Sequence, residues 1–102
     1  MTKWVTIAKK DDILEGQTKV FWVDDKEVAV AHVGENYYAF INECSHAQFP
    51  LDQGTLSGTV IECPHHGATF DMTTGEALTM PAVTPIQIFK VKLDGEEIKI
   101  EV

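Results

Sequence analysis

The side chains best suited to bind a metal lie in two short segments near the middle of the chain. The first segment carries Cys44 and His46, and the second carries Cys63, His65 and His66. Each segment supplies one thiolate and one imidazole, so two loops that approach each other would make a four-ligand site. The spacing therefore predicts a metal centre, and His65 competes with His66 for the fourth position.

Three interpretations of these residues remain open on ligand chemistry alone. A structural zinc site uses Cys₂His₂, but it usually groups like ligands together, whereas each segment here mixes them. A Rieske [2Fe–2S] centre has two histidines in place of two cysteines on one iron. The remaining interpretation is no site at all, only buried cysteines and scattered surface histidines.

The segments around these residues are patterned as β-strands. Apolar, β-branched and aromatic residues alternate with polar ones, and no stretch has a convincing helical period. The predicted strands are residues 3–8, 18–23, 27–33, 36–41, 86–93 and 97–102, and 11–16 is expected to make one short turn. Asp24-Asp25-Lys26 predicts one hairpin, and Asp94-Gly95 predicts another with a type I′ turn. These signals favour an all-β sandwich or barrel.

The middle of the chain differs from both ends. Between residues 42 and 85 the alternation weakens and glycines and prolines interrupt the pattern, and both cysteines and three of the four histidines lie there. This composition predicts a loop-rich insert that carries a site on a regular β base.

The two segments resemble the signature of the Rieske iron–sulfur family. That signature is C-x-H, a connecting stretch, then C-P-x-H-G followed by F-D, and residues 38–46, Leu51, Gly54, Ile61 and Thr74-Gly75 are similar to its surroundings. The resemblance covers the whole chain. It implies one Rieske domain, residues 1–102, with an antiparallel β-sandwich base and a smaller loop-rich cluster-binding subdomain at approximately 43–83.

The resemblance also implies a ligand set for one Rieske-type [2Fe–2S] cluster. Cys44 and Cys63 would bind the inner iron, and His46 and His66 would bind the outer iron nearer solvent. His65 falls at a variable position of the signature, with no role expected. His32 lies in the apolar third strand and is expected to be an ordinary structural histidine.

The residues beside the ligands predict a low reduction potential. Two thiolates leave the oxidised centre neutral, which raises its potential above that of four-cysteine clusters, and Rieske centres span about −150 to +300 mV. High-potential relatives carry two more cysteines, a serine and a tyrosine, where this chain has Phe49, His65, Ala68 and Phe70. Without the two hydroxyl donors to sulfur, the reduced state is stabilised less, and the low end of the range is expected.

The function implied by the resemblance is one-electron transfer, not catalysis. The chain resembles the ferredoxin component of bacterial aromatic ring-hydroxylating dioxygenase systems. That component would accept electrons from a flavin-containing reductase and pass them to a terminal oxygenase, with a monomer as the expected state. Two alternatives are a small electron-transfer subunit similar to that of nitrite reductase, and a zinc-stabilised interaction module.

Net charge and hydropathy limit the kinds of partner and the cellular location that are expected. A formal net charge of −8 disfavours nucleic acid and anionic membranes as partners, and suits a basic patch on a protein. No apolar run reaches the length of a membrane helix and no signal peptide is evident, so a cytoplasmic location is expected.

Residues 47–50 and 80–82 are expected to form an apolar collar at the cluster. Phe49 could equally well belong to the core, and Leu51 is assigned to the core.

Overall fold

The computed structural model describes residues 3–43, 51–52, 54–64, 67–78 and 85–102. The strands are β1 Trp4–Lys9, β2 Thr18–Val23, β3 Lys26–Val33, β4 Asn36–Ile41, β5 Thr55–Ser57, β6 Val60–Glu62, β7 Thr69–Asp71, β8 Ile88–Phe89, β9 Val91–Asp94 and β10 Glu97–Glu101. A 3-10 helix at Lys10–Asp12 is the one helix in these ranges. No helix in the described residues is long and apolar enough to cross a membrane.

The strands form three antiparallel sheets. Their strand orders are β1-β10-β9, β2-β3-β4-β8 and β5-β6-β7. The four-stranded sheet is central, because consecutive residues of β3 enter two different cores. Val28 and Val30 pack in one core with Ile98 and Ile100, whereas Ala29 and Ala31 pack in the other. Residues 28–31 are four consecutive buried apolar residues, so β3 is buried on both faces and the alternation expected of it was wrong.

The core between the central sheet and the β5-β6-β7 sheet contains Cys63. Its other members are Ala29, Ala31, Phe40, Leu51, Ile61, Ala68, Phe70, Met72 and Ile86. Phe40 and Phe70 are its largest fully buried side chains. Burial of each aromatic side chain contributes about 1.5–3 kcal/mol. One of the predicted ligands is thus embedded in a packed apolar core.

The first strand predicted for the final hairpin, residues 86–93, is two strands in the structure. Residues Ile88 and Phe89 pair with β4 of the central sheet, and Val91–Asp94 pairs with β10 of the first sheet. The chain changes sheets at Lys90, so one apolar run serves two layers. A periodicity of two cannot reveal such a transfer, because alternation continues through it.

Two turn predictions have different outcomes. Val23 pairs with Lys26, and both intervening aspartates have positive φ, as a two-residue type I′ hairpin requires. The prediction for the last hairpin was wrong in its turn residues. Asp94 pairs with Glu97, so Gly95 and Glu96 form the loop, and positive φ at the first of them alone is the type II′ pattern.

The prediction of an all-β chain with an antiparallel base is confirmed. The chain leaves the central sheet after Ile41, forms the small β5-β6-β7 sheet, and returns to the central sheet at Ile88. The proposed subdomain limits of 43 and 83 adjoin or fall on residues outside the described ranges. They stay a prediction.

Candidate metal centre

Of the four predicted ligands, only Cys63 lies among the described residues. Cys44, His46 and His66 lie outside them, as does His65. The four-ligand set therefore stays a prediction. What the structure does describe is the set of strands, turns and hydrogen bonds that flank each ligand segment.

Backbone hydrogen bonds join the two ends of the second ligand segment beside a pair of strands. Cys63 directly follows β6, and Glu62 at the end of that strand pairs with Thr69 at the start of β7. The Cys63 N–H donates to the carbonyl oxygen of Ala68 at 2.7 Å, and the Gly67 N–H donates to the carbonyl oxygen of Cys63 at 3.2 Å. The register of this hairpin fixes where residue 63 and residue 68 lie.

The surroundings of Cys63 fit the thiolate side of an iron–sulfur cluster. Cys63 is 1% exposed and packs in the same core as Ile61, Ala68 and Phe70. A buried thiolate that binds iron is shielded from water, and apolar surroundings are among the features that set a cluster's potential. A lone buried cysteine also suits an apolar core, so burial agrees with a ligand role without identifying it.

Neither Ala68 nor Phe70 brings a polar group to this region. Both side chains are fully buried in the core that contains Cys63. Their lack of a hydroxyl group is the feature on which the low-potential prediction depends. The structure adds that these positions are interior, where a hydroxyl group needs a nearby acceptor.

A second turn lies between β7 and β8. The Asp71 carboxylate accepts hydrogen bonds from the Thr73 N–H at 2.9 Å and from its hydroxyl at 2.6 Å. These two bonds lower the pKa of the Asp71 carboxyl. The Gly75 N–H donates to the carbonyl oxygen of Asp71 at 2.6 Å, and the Ile86 N–H donates to that of Gly75 at 2.9 Å. Hydrogen bonds through Gly75 therefore connect Asp71 to Ile86, which lie on either side of residues 79–84 in the sequence.

Two polar groups that flank the ligand segments were not predicted from the sequence. Asn42 is buried and hydrogen-bonds to Leu51 and Asp52, on the far side of the first segment. Its position two residues before Cys44 was visible, but its partners were not. The turn at Asp71 had a local signal, since aspartate followed two residues later by threonine is typical of an Asx turn.

His32 makes contacts within the fold that agree with the ordinary structural role expected of it. Its Nδ1 lies 2.9 Å from the carbonyl oxygen of Ile13, and its ring stacks on Tyr37 with centroids 4.1 Å apart. Burial raises the pKa of Tyr37, and the negative charges of Asp11 and Glu96 raise it further. These contacts join the segment after the 3-10 helix to the central sheet.

The predicted collar stays a prediction, and only Leu51, which was assigned to the core instead, can be compared with the structure. Leu51 is fully buried in the core that contains Cys63, as predicted. Residues 47–50 and 80–82, which include Phe49, lie outside the described ranges.

The described residues thus form an antiparallel β base and a small three-stranded sheet, with a buried cysteine directly after β6. Residues 3–90 match the family model of the Rieske [2Fe-2S] domain. The chain belongs to this family, and its cofactor is a Rieske-type [2Fe–2S] cluster.

The chain is similar over nearly its whole length to ferredoxins. It is 36% identical over 99 residues to the ferredoxin component of a naphthalene 1,2-dioxygenase system from Pseudomonas putida, and the match covers 97% of this chain and 95% of the relative. The ferredoxin of carbazole 1,9a-dioxygenase from Nocardioides aromaticivorans IC177 matches with a TM-score of 0.91 and 38% identity, over 95% of each chain.

A further solved structure holds such a ferredoxin with its oxygenase. It is described as a complex of reduced oxygenase and oxidized ferredoxin in carbazole 1,9a-dioxygenase. It matches with a TM-score of 0.87 and 33% identity, over 95% of this chain and 91% of that one. This chain is accordingly an electron carrier, and the prediction that it is not itself an enzyme agrees with the ferredoxin names of its relatives.

Proposed function

We propose that this chain carries single electrons from a flavin-containing reductase to the terminal oxygenase of an aromatic ring-hydroxylating dioxygenase system. The observation that carries the proposal is the full-length similarity to ferredoxins of such systems, one of them in complex with its oxygenase. The proposal includes a cytoplasmic location and a monomeric carrier.

The cluster supplies a site that accepts and releases one electron. The protein must hold it, shield its sulfur atoms and present one edge to a partner. We assign Cys44 and Cys63 to the inner iron, and His46 and His66 to the outer iron. The burial of Cys63 supports its place on the inner side of the cluster.

The acidic balance of the chain supports a partner with a basic docking surface. The formal net charge is −8. Complementary charge accelerates encounter, and salt screens this effect over about 8–10 Å at 0.1–0.15 M ionic strength. Electron-transfer encounters also use small interfaces, which suits a brief contact at one edge of the molecule.

A stopped-flow experiment tests the function. The holoprotein is reduced and mixed with the oxidised oxygenase of a carbazole or naphthalene dioxygenase system, and its visible absorbance is followed. We expect rapid reoxidation that slows as ionic strength rises. Absence of reoxidation by either oxygenase, with reduction by a ferredoxin reductase also absent, would contradict the proposal.

Neighbouring histidines provide a matched test of the ligand assignment. His66→Ala should yield protein without the visible spectrum of a Rieske cluster, whereas His65→Ala should keep both the spectrum and one cluster per chain by iron analysis. His46→Ala should behave like His66→Ala. The reverse result at residues 65 and 66 would transfer the ligand role to His65.

A further inference from the structure

A buried carboxamide lies at the entrance to the first ligand segment. Asn42 follows the last residue of β4 and is 7% exposed, and it is the one buried polar residue in the described ranges. Burial of an amide is unfavourable unless its donors and acceptors find partners. A carboxamide has two N–H donors and one oxygen with two lone pairs.

Every one of these groups is used. The Asn42 Oδ1 accepts from the Leu51 N–H and from the Asp52 N–H, both at 2.8 Å. The Nδ2 donates to Glu27 Oε2 at 2.5 Å and to Asp52 Oδ1 at 3.0 Å. The partners fix the orientation of the amide, because two N–H groups face its oxygen and two carboxylates face its nitrogen.

These bonds connect the two ends of one chain segment. Residues 43–50 run from Asn42 to Leu51 and include two of the predicted ligands. The Asn42 N–H also donates to the carbonyl oxygen of Glu27 at 2.8 Å, which anchors the near end to β3. At the far end, Leu51 is fully buried in the core that contains Cys63. The near end is therefore fixed to the central sheet, and the far end to the core that contains Cys63.

We propose that Asn42 is a positioning residue for the cluster, and that its side chain clamps together the two ends of the segment carrying Cys44 and His46. The inference rests on the ligand assignment proposed above. The side chain acts through the backbone of residues 51 and 52. Such supporting interactions orient metal ligands, and their loss typically lowers metal affinity or activity about 10- to 100-fold.

The two hydrogen bonds donated by the Asn42 amide nitrogen can be tested by changing charge alone. Glu27 and Asp52 both accept from one amide nitrogen, so a carboxylate in its place would face two others. Asn42→Asp keeps the shape of the side chain and an oxygen for the two backbone donors, but it replaces two favourable contacts with repulsion. Glu27→Gln in the same chain supplies an N–H donor to that new carboxylate. This combination should restore part of the clamp.

The test uses the holoprotein and three readouts: the rate of cluster loss in excess chelator by visible absorbance, the electron paramagnetic resonance spectrum of the reduced state, and amide hydrogen exchange of peptides containing residues 51 and 52. Asn42→Ala should lose its cluster about 10-fold faster than the wild type. Its exchange at residues 51–52 should rise, and its resonance lines should broaden or shift. Asn42→Asp should show the same changes, and Asn42→Asp with Glu27→Gln should show smaller ones than Asn42→Asp alone.

A remote core variant distinguishes positioning from general destabilisation. Ile98 is fully buried in the other core, and Ile98→Ala should lower the thermal midpoint without changing the resonance spectrum of the cluster. Cluster loss in the Asn42 variants no faster than in Ile98→Ala, with unchanged spectra, would overturn the clamp. Retention of the cluster in His46→Ala would instead overturn the ligand assignment. If Asn42→Ala fails to fold, Asn42→Asp and its rescue decide the question.

Discussion

The backbone N–H of Cys63 donates a 2.7 Å hydrogen bond to the carbonyl oxygen of Ala68. This bond joins residues 63 and 68 beside two strands whose register is fixed by the Glu62–Thr69 pair. The relative position of Cys63 and Ala68 is therefore set by backbone hydrogen bonding and not by their side chains. Hydrogen bonds from side chains beside a cluster are among the features that set its potential.

Hydroxyl groups added beside the cluster should raise its reduction potential. Ala68→Ser and Phe70→Tyr introduce the donors that high-potential relatives have, and a donor to sulfur stabilises the more negative reduced state. We expect each variant to shift the midpoint upward from the low end of the Rieske range in a spectroelectrochemical titration. Ala31→Ser is the control, because it adds a hydroxyl in the same core on β3. An unchanged midpoint in both variants would contradict the hydrogen-bond explanation.

Substitution of Gly75 should destabilise the protein more than substitution of Gly34. Both have positive φ, +83° and +62°, which is unfavourable for a residue with a Cβ atom by about 1–2 kcal/mol. At residue 75 the new Cβ would also approach the Ile86 carbonyl oxygen to 2.3 Å, whereas at residue 34 it would meet nothing within 4 Å. Gly75→Ala should therefore have the lower thermal midpoint at one scan rate. Equal midpoints would show that residue 86 moves away freely.

Loss of the Thr73 side chain should weaken the turn that Asp71 begins. The hydroxyl donates to the Asp71 carboxylate at 2.6 Å, and the pair is solvent-screened, so Thr73→Ala should cost about 1 kcal/mol or less. Thr73→Ser keeps the donor and should retain most of the stability.

The same hydrogen bonds predict the sign of a pH effect. They lower the pKa of the Asp71 carboxyl in the folded state, so their stabilisation is present above its ordinary value of 3.8 and is lost as pH falls through the lowered pKa. The difference in thermal midpoint between the wild type and Thr73→Ala should be constant from about pH 5 to 8 and shrink only in stronger acid. A difference that grows on acidification would contradict this assignment.

Ionisation of Tyr37 should destabilise the fold in alkali. Its pKa is raised by burial, then by Asp11 and Glu96, so the folded state retains a proton that the unfolded chain releases near pH 10. Stability is therefore lost as pH rises from that value towards the raised pKa. Tyr37→Phe should lose less stability above pH 10, and should remove the last-titrating component of the tyrosine absorbance near 295 nm.

The adjacent tyrosine is the control for this experiment. Tyr38→Phe leaves Tyr37 in place, so the absorbance component assigned to Tyr37 should remain. If that component persists in Tyr37→Phe and disappears in Tyr38→Phe, the attribution to Tyr37 is wrong.

Local patterns were sufficient for β1, β2, β3, β4 and β10, but not for the three short strands β5, β6 and β7, which lie in the segment where the alternation weakens. Strands β2 and β4 have the predicted limits, 18–23 and 36–41. The patterns failed where the pairing of neighbouring strands determines the structure. Lys90 marks a transfer between sheets, and the register of β9 with β10 moves the turn to Gly95 and Glu96. Neither follows from alternation, since both depend on which strand is the neighbour.

The types and spacing of the candidate ligands were enough to predict a metal centre, because sulfur and imidazole ligands are uncommon in this combination. The supporting groups were not predictable in the same way. Asn42 has the character of a loop residue in the sequence, and its importance depends on Glu27, which is distant in the chain, and on Asp52. A buried polar side chain becomes recognisable only when its partners are known.

The central claim is that this chain is a low-potential one-electron carrier, and a reductive titration of the as-purified protein near neutral pH tests it most directly. Visible absorbance and electron paramagnetic resonance are followed together. We expect a coloured centre that takes up one electron per chain, with a midpoint of about −150 mV. A midpoint near the upper end of the Rieske range would contradict the low potential. A colourless protein that contains zinc would contradict electron transfer itself.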